Sequence, residues 1–189
     1  MASDNHSSSD SPKPTGMRKW SWIAFAIILW AALFSWLASL FWNRSSDVNK
    51  YFSWHIGETI SYKDDGKVVF QNWGGKEVSF DYRWTDGHKA AISFRLGQVE
   101  KNRTCVLIIT ARSFGAQEIA FSLNDHSLGK LTFPGLEMAG SLSFNSDLLT
   151  TKAMNVLTLH IPNARQPGNG DSRLLGLALK SFIIEYSDK

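Results

Sequence analysis

Three tryptophans, Trp54, Trp73 and Trp84, have the side-chain type best suited to packing on a sugar ring. A site of this kind needs a flat apolar platform and a few oriented polar groups. The candidate polar groups are Glu77, Asp86 and Asn124. For Trp84 a second interpretation is open, because large aromatic residues also dominate the interiors of β-sandwiches. Trp73, Trp84 and these three polar residues are therefore predicted ligand-binding residues.

Asp171 and Arg173 lie beyond the sequence QPGNG, just before the last predicted strand. The simpler interpretation is that this charge pair pins a long loop. The alternative is that Arg173 holds an anionic group, because a planar guanidinium binds a carboxylate or phosphate through two hydrogen bonds. Both residues are therefore included among the predicted ligand-binding residues.

The sequence offers little for catalysis. Glu77 and Asp81 lie on or beside one predicted strand, whereas glycoside hydrolysis needs two carboxyl groups placed across a cleft. The five histidines show no shared metal-ligand spacing, and no nucleophile-elbow, P-loop or dinucleotide motif occurs. The sequence therefore predicts a protein that is not an enzyme, with no metal ion and no cofactor.

Charge and cysteine content narrow the function classes further. The formal net charge is +3 and the basic residues are scattered. Nucleic-acid binding normally requires a basic face, so the sequence does not favour it. Cys105 is the single cysteine, in the apolar run CVLII, so an intramolecular disulfide is impossible and a buried thiol is expected.

Residues 20–42 contain no charged residue, proline or glycine. As a helix, this stretch would be roughly 35 Å long, against about 30 Å for a bilayer core. Tryptophans lie at both ends, where indole rings favour the headgroup layer. A signal peptide fits less well, because its apolar core is shorter and small residues follow it. A buried core helix is disfavoured by the length and the absence of a polar face, so we predict a single transmembrane helix.

The segments on either side of this helix define the remaining organisation. Residues 1–19 are rich in Ser, Asp and Pro, which predicts a disordered tail. Residues 43–52 are a polar linker, and residues 53–189 form one domain. Slightly more basic residues lie before the helix than after it, which favours a cytoplasmic N-terminus. We therefore expect a single-pass protein of a bacterial inner membrane with a periplasmic C-terminal domain.

Small residues recur along one stripe of the predicted helix, at Ala31, Ser35 and Ser39. Such a stripe lets a second helix approach closely. The interpretation as a helix-packing site implies a neighbouring membrane subunit. A lone anchor with small residues placed by chance is the alternative.

The rest of the chain has the pattern of an all-β protein. Residues 78–84, 90–96 and 155–161 alternate apolar and polar side chains, which indicates half-buried strands. A β-branched run at 104–110 predicts a central strand. Residues 117–123 and 128–133 flank a turn and predict a hairpin, and 177–186 is the last predicted strand. Regular turn spacing predicts an antiparallel jelly-roll-type sandwich with eight or more strands.

The domain resembles a β-sandwich module of bacterial envelope-polysaccharide proteins, often the extracytoplasmic domain of polytopic glycosyltransferase-like membrane proteins. The resemblance covers roughly residues 56–186. Its most specific part is Pro162-Asn163-Ala164 followed by Asp171-x-Arg173-x-x-Gly176-Leu177, and a less specific part contains Trp73, Glu77 and Trp84. One helix replaces the polytopic catalytic part, so the resemblance implies no transferase activity.

Two hypotheses for the function follow. In the first, the protein is a membrane-anchored accessory protein that binds an envelope polysaccharide or its lipid-linked precursor. In the second, it is a docking subunit of a polytopic glycosyltransferase or transporter and binds no sugar. A glycan-modifying enzyme is a third and weaker alternative.

Overall fold

A computed structural model describes residues 29–33, 35, 53–168 and 170–187, with the side chain of residue 78 left out. The chain divides into two compact units, Met1–Asp47 and Val48–Lys189. In the first unit, residues 29–33 and 35 are helical. The predicted tail, the linker, Ser39 and most of the predicted span at 20–42 lie outside the described residues. Within the described residues, no helix is both long and apolar enough to cross a membrane.

The second unit consists of twelve β-strands and two short 3₁₀ turns. The strands are β1 (Ser53–Trp54), β2 (Thr59–Ser61), β3 (Val68–Gln71), β4 (Trp73–Glu77), β5 (Tyr82–Thr85), β6 (Lys89–Leu96), β7 (Thr104–Ser113), β8 (Gln117–Leu123), β9 (His126–Phe133), β10 (Met138–Asn145), β11 (Asn155–His160) and β12 (Leu177–Tyr186). The 3₁₀ turns cover Val78–Phe80 and Ser146–Leu148.

The strands form two six-stranded sheets. In the first sheet the order is β1–β6–β11–β8–β9, and β3 also pairs with β6. In the second sheet the order is β10–β7–β12–β5–β4, and β2 also pairs with β12. Among the described strands, β1 and β6 form the one parallel pair. From β5 onward the chain changes sheet at every connection except the β8–β9 hairpin, so the sheets share one core.

Trp54, on the edge strand β1, is fully buried and joins the two sheets. Its ring lies edge-to-face against Phe94 of β6 and Phe182 of β12, with centroid distances of 4.9 and 5.2 Å. The indole Nε1 donates a hydrogen bond to the Glu58 carbonyl at 2.8 Å. Trp54 is therefore a core residue and not the surface platform that the sequence suggested.

Most of the predicted strands are confirmed. Strands β6, β7, β8, β11 and β12 lie where alternation or β-branching predicts them. Strand β7 is central, between β10 and β12, and its alternate side chains are buried. Cys105 at its start is fully buried, and this burial raises the pKa of its thiol.

The predicted strand at 78–84 is wrong in its first half and confirmed at residues 82–84. Val78–Phe80 form a 3₁₀ turn, and Asp81 has a left-handed backbone with φ 56°, so the strand begins only at Tyr82. The Tyr62 hydroxyl donates to Asp81 Oδ1 at 2.8 Å and stabilises the turn. Phe80, on the apolar phase of the alternation, is 65% exposed as a result.

The β8–β9 turn is tighter than the sequence predicts. Strand β9 already begins at His126, so only Asn124 and Asp125 lie between the strands. Both residues have positive φ, 49° and 66°, as expected for a two-residue hairpin turn of type I′. The turn also fixes the β8–β9 register.

Gly176 is required by close packing next to β12. A Cβ atom at this position would lie 2.3 Å from Cγ2 of Ile161, a fully buried β-branched residue. We expect Gly176→Ala to lower the free energy of unfolding by about 1–3 kcal/mol, the usual range for an overpacked core. Urea denaturation of the full-length protein in mild detergent, followed by circular dichroism, measures this loss.

The matched control is Gly75→Ala, because the added Cβ has no atom within 4 Å. Its unfolding free energy should stay within about 0.5 kcal/mol of the wild type. Equal losses in the two variants would contradict the packing role of Gly176.

Candidate functional site

Trp73 lines a surface groove of about 320 Å³ at the β3–β4 side of the sandwich. The groove, called the Trp73 groove below, is formed by Asp65, Val68, Val69, Phe70, Trp73, Gly74 and Arg83. Trp73 is half-buried and packs edge-to-face on Phe70 at a centroid distance of 5.6 Å. Its Nε1 donates to the Ala91 carbonyl at 2.9 Å. The indole is therefore held in one orientation beside an exposed apolar residue, Val69, which is 53% accessible.

The polar wall of the Trp73 groove is an ion-paired cluster around Asp65. Arg83 Nη1 and Lys76 Nζ lie 2.6 and 2.7 Å from the Asp65 carboxylate oxygens. Partial burial by itself raises the pKa of Asp65, but hydrogen bonds from Lys76 and Arg83 outweigh it and the pKa is lowered. Arg83 is buried and its guanidinium stacks over Phe70 at 4.3 Å. Arg83 and Lys76 therefore share one carboxylate partner, Asp65, before any ligand arrives.

Three of the predicted residues, Glu77, Asp171 and Arg173, come together beside the groove and are called the rim triad. Arg173 Nη2 lies 2.7 Å from Asp171 Oδ2, and both its terminal nitrogens lie 3.2 Å from Glu77 Oε1. The Arg173 amide also donates to Asp171 Oδ1 at 3.0 Å. The side-chain hydrogen bond with Asp171 is the largest cause of a raised Arg173 pKa. These contacts support a role of the pair in pinning the loop to β4.

The rim triad makes the stability of the fold sensitive to acid. The hydrogen bonds from Arg173 hold the pKa of Asp171 below its ordinary value, which is about 3.9. The stabilising contribution of Asp171 is therefore complete above this value and is lost as pH falls through the lower folded-state pKa. We expect Asp171→Asn to be less stable than the wild type at pH 7 and to lose less stability between about pH 4 and pH 2.

Urea denaturation as a function of pH measures this difference. Arg173→Gln removes the shared donor and should flatten the pH profile in the same way. If Asp171→Asn and the wild type lose stability in parallel below about pH 4, the ion pair does not contribute to acid sensitivity.

Asp86 and Asn124 have different surroundings. Asp86 is close to the rim triad in space, because its Oδ1 accepts a hydrogen bond from the Leu174 amide at 3.0 Å. Asn124 lies in the β8–β9 turn, where its amide contacts the 148–156 segment instead. Its Nδ2 donates to the Leu148 carbonyl at 2.8 Å, and its Oδ1 accepts from the Val156 amide at 2.8 Å. The structure thus brings Asp86, but not Asn124, to the other predicted residues.

Trp84 lies on the outer face of the second sheet, in a row of aromatic and arginine side chains that the sequence did not reveal. This outer-face array consists of Tyr82, Trp84, Arg112, Phe114 and Arg165. The Arg112 guanidinium lies over Tyr82 and Trp84, at 5.7 and 5.9 Å from the ring centroids. Trp84 contacts Phe114 edge-to-face at 6.4 Å, and Arg165 lies over Phe114 at 5.3 Å. The sequence held one signal for Arg112. The residue occupies one of the outward-facing positions of the alternating strand β7.

A larger depression of about 530 Å³ lies near the other end of β6, between His55, Gly97, Thr151 and Tyr186. It lacks a free aromatic platform. Arg103 stacks over the Tyr186 ring at 4.9 Å, and the Tyr186 hydroxyl accepts the Glu100 amide at 2.6 Å. The Trp73 groove is therefore the better candidate for sugar binding.

No three His, Cys, Asp or Glu side chains are arranged to hold a metal ion in the part of the chain that the structure describes. The two carboxylates considered for hydrolysis have different partners. Glu77 pairs with Arg173, and Asp81 accepts from Tyr62. Aromatic rings and ion pairs are the distinguishing groups of the described surface.

No protein-family profile and no curated protein sequence matches this chain. Among solved structures, it is similar to the second N-terminal cellulose-binding domain of Cellulomonas fimi β-1,4-glucanase C. The two share 12% identity at a TM-score of 0.50, over 71% of this chain and 94% of that domain.

Two further similar structures are carbohydrate-binding modules. The CBM36-1 domain of a multidomain xylanase from the hindgut metagenome of Trinervitermes trinervoides shares 11% identity, with a TM-score of 0.45, over 70% of this chain and 98% of that domain. A family 35 module of Clostridium thermocellum shares 10% identity, with a TM-score of 0.43, over 67% of this chain and 97% of that module. At 12% identity the likeness to the Cellulomonas fimi domain concerns the fold alone, and the second unit is a two-sheet β-sandwich that resembles this cellulose-binding domain in fold.

Proposed function

We propose that this protein is a membrane-anchored, non-catalytic accessory protein of bacterial cell-envelope polysaccharide synthesis or export, with a jelly-roll-type sandwich that binds glycan. The observation that carries the proposal is the Trp73 groove, an apolar surface with an oriented indole next to polar side chains. The apolar stretch at 20–42 supports the anchor, and the basic residues before it support a periplasmic domain. The sandwich fold, which resembles carbohydrate-binding modules, supports the glycan as ligand.

The geometry of the groove favours one or two sugar units. Its volume of about 320 Å³ lies at the lower end of the range for small-molecule sites. The hydrogen bond from Trp73 to Ala91 fixes the indole before binding. Because a fixed side chain loses little conformational entropy when the ligand arrives, preorganisation of this kind increases affinity.

The charges around the groove favour a neutral sugar. Asp65 is shared by Arg83 and Lys76, and Arg173 is shared by Glu77 and Asp171, so each positive charge already has a carboxylate partner. An anionic ligand would have to compete with these carboxylates. Hydroxyl groups, in contrast, can add hydrogen bonds to the same side chains.

A glycan array tests the proposal. Full-length protein in mild detergent is applied to immobilised neutral and acidic bacterial polysaccharides and to short oligosaccharides. We expect specific retention of a neutral glycan, with weaker retention of Trp73→Ala. Phe80→Ala is the matched control, because Phe80 is an exposed aromatic outside the groove. Failure to retain any glycan would contradict the proposal.

The second candidate function is docking to a polytopic glycosyltransferase or transporter without sugar binding. The observation that favours it is that Ala31 and Ser35 are both helical, so that their four-residue spacing places them on one face of the helix. A pull-down of the full-length protein in mild detergent, with mass spectrometry, tests this interaction. We expect Ser35→Leu to lose a polytopic partner and Ala32→Leu, off the stripe, to retain it. Equal recovery with both variants would count against docking through this stripe.

A further inference from the structure

We propose that the outer-face array is a second binding site, specific for carboxylate groups on an acidic polysaccharide. Trp84 and Phe114, which are both partly exposed, provide the aromatic surface, and Arg112 and Arg165 provide the anion-binding groups. Tyr82 is itself buried and helps to orient Arg112. The site is separate from the Trp73 groove and goes beyond the neutral-sugar binding proposed above.

The strand register builds this site. Ala178 of β12 pairs with Trp84 on one side and with Arg112 on the other, so all three side chains point to the outer face. Ala178 is fully buried although it points outward. Its small side chain leaves room for the Arg112 side chain to cross β12 and reach the rings of β5.

Arg165, the second arginine, also reaches the array across a small residue. Arg165 extends over Gly115, where an added Cβ would lie 2.7 Å from Arg165 Nη2. It then stacks on Phe114, which in turn contacts Trp84. The two guanidinium groups are therefore connected by a continuous aromatic surface.

The surroundings of these two guanidinium groups differ from those of three other arginines of the sandwich. Arg83, Arg103 and Arg173 each pair with at least one carboxylate. Arg112 and Arg165 stack on rings, and their guanidinium groups make no hydrogen bond or ion pair to another residue of the described chain.

The carboxylate of Glu137 is already engaged on the same face. Lys180 Nζ lies 2.8 Å from Glu137 Oε1, and the Tyr82 hydroxyl donates to Glu137 Oε2. Arg112 and Arg165 therefore keep their in-plane donors for a ligand. A guanidinium that is oriented by stacking is suited to a planar carboxylate, which it binds through two parallel hydrogen bonds.

An acidic polysaccharide is the occupant that these observations favour. The exposed parts of Trp84 and Phe114 suit the apolar face of a sugar ring, and the arginines that stack on them suit an acid group on the same sugar unit. An acidic peptide or an anionic lipid surface would satisfy the charge but makes less use of the two adjacent exposed rings, Trp84 and Phe114. Binding of either one through Arg112 is an outcome that contradicts the proposal.

The test uses full-length protein in mild detergent and polygalacturonate oligosaccharides as the probe. The matched ligand is the same oligosaccharide after reduction of its carboxyl groups, which removes the charge and keeps the chain. We expect the wild type to bind the acidic form and the reduced form to bind at least about tenfold more weakly. Arg112→Gln should reduce affinity for the acidic form by about tenfold or more, the usual effect of losing a charged hydrogen-bonded pair.

Arg103→Gln is the matched control variant, because Arg103 also stacks on a ring but pairs with Glu100. It removes one positive charge elsewhere and should change affinity by less than about twofold. Arg165→Gln provides a second variant of the array if Arg112→Gln does not fold. Equal losses for Arg103→Gln and Arg112→Gln, or equal binding of the acidic and reduced forms, would overturn the proposal.

Two further probes distinguish a polysaccharide site from a lipid-binding or peptide-binding surface. They are vesicles that contain phosphatidylglycerol and a polyglutamate peptide. Binding to either probe that is as strong as binding to the acidic oligosaccharide, and equally dependent on Arg112, would overturn the assignment to a polysaccharide. Trp73→Ala should leave binding of the acidic oligosaccharide unchanged, so failure of this site and failure of the Trp73 groove are distinguishable.

Discussion

Trp54→Ala should lower the free energy of unfolding by about 3–5 kcal/mol, as expected for removing a large aromatic side chain from a well-packed core. Trp54 is fully buried and contacts rings from both sheets, Phe94 and Phe182. Its removal leaves a cavity between the sheets and an unpaired Glu58 carbonyl, because the indole hydrogen bond is lost. Urea denaturation followed by far-ultraviolet circular dichroism measures the loss without relying on tryptophan fluorescence.

Two comparisons make this result specific to the core. Phe80→Ala removes an exposed ring and should change the free energy of unfolding by no more than about 0.5 kcal/mol. Trp54→Phe keeps an aromatic ring and should lose less than Trp54→Ala. A loss below about 1 kcal/mol for Trp54→Ala would mean that this residue does not join the two sheets as described.

Asn124→Ala should destabilise the protein by about 2–4 kcal/mol, from backbone strain and lost hydrogen bonds together. Asn124 has φ 49°, which alanine adopts at a cost. Its side chain also donates to the Leu148 carbonyl and to Asn155 Oδ1, and accepts from the Val156 amide. The same urea denaturation experiment measures the loss.

Asp125→Ala is the control for strain, because Asp125 is the neighbouring left-handed residue, with φ 66°. Its loss should be smaller than that of Asn124→Ala. Asn124→Gly relieves the strain and leaves the hydrogen-bond loss, so it should fall between the wild type and Asn124→Ala. If Asn124→Ala left stability unchanged but abolished glycan binding, Asn124 would be a ligand-binding residue, as the sequence predicts, and not a structural one.

Strands with one buried face could be predicted from the sequence. Strands β8 and β11 alternate in sequence and in burial, and β12 has the predicted bounds. Strand β10 was missed because its inward positions include Gly140, whose small size accommodates Leu131 of β9. A glycine gives no apolar signal in the sequence. The small residue is needed at this position because of Leu131, which belongs to the opposite sheet. The alternation at 78–84 failed for a similar reason, since a long-range contact from Tyr62 stabilises the turn at Asp81.

The candidate sites were predictable to the extent that they depend on local spacing. The resemblance linked Trp73 and Glu77, which lie on one strand that the sequence did not predict, and the motif that ends in Leu177 placed Asp171 and Arg173 in one loop. The contact between Arg173 and Glu77 joins residues 96 positions apart, which no local pattern reveals. The outer-face array depends on the register of three strands, so Arg112 became a candidate only when Ala178 was placed between it and Trp84.

The central claim is that the sandwich binds a glycan in the Trp73 groove. The most direct measurement is isothermal titration of the full-length protein with the neutral oligosaccharide that the array retains. We predict that Trp73→Ala weakens binding by about tenfold or more, as for a residue that dominates a small interface, and that Phe80→Ala changes it by less than about twofold. If Trp73→Ala bound the neutral oligosaccharide with the affinity of the wild type, the claim that the glycan binds in the Trp73 groove would be contradicted.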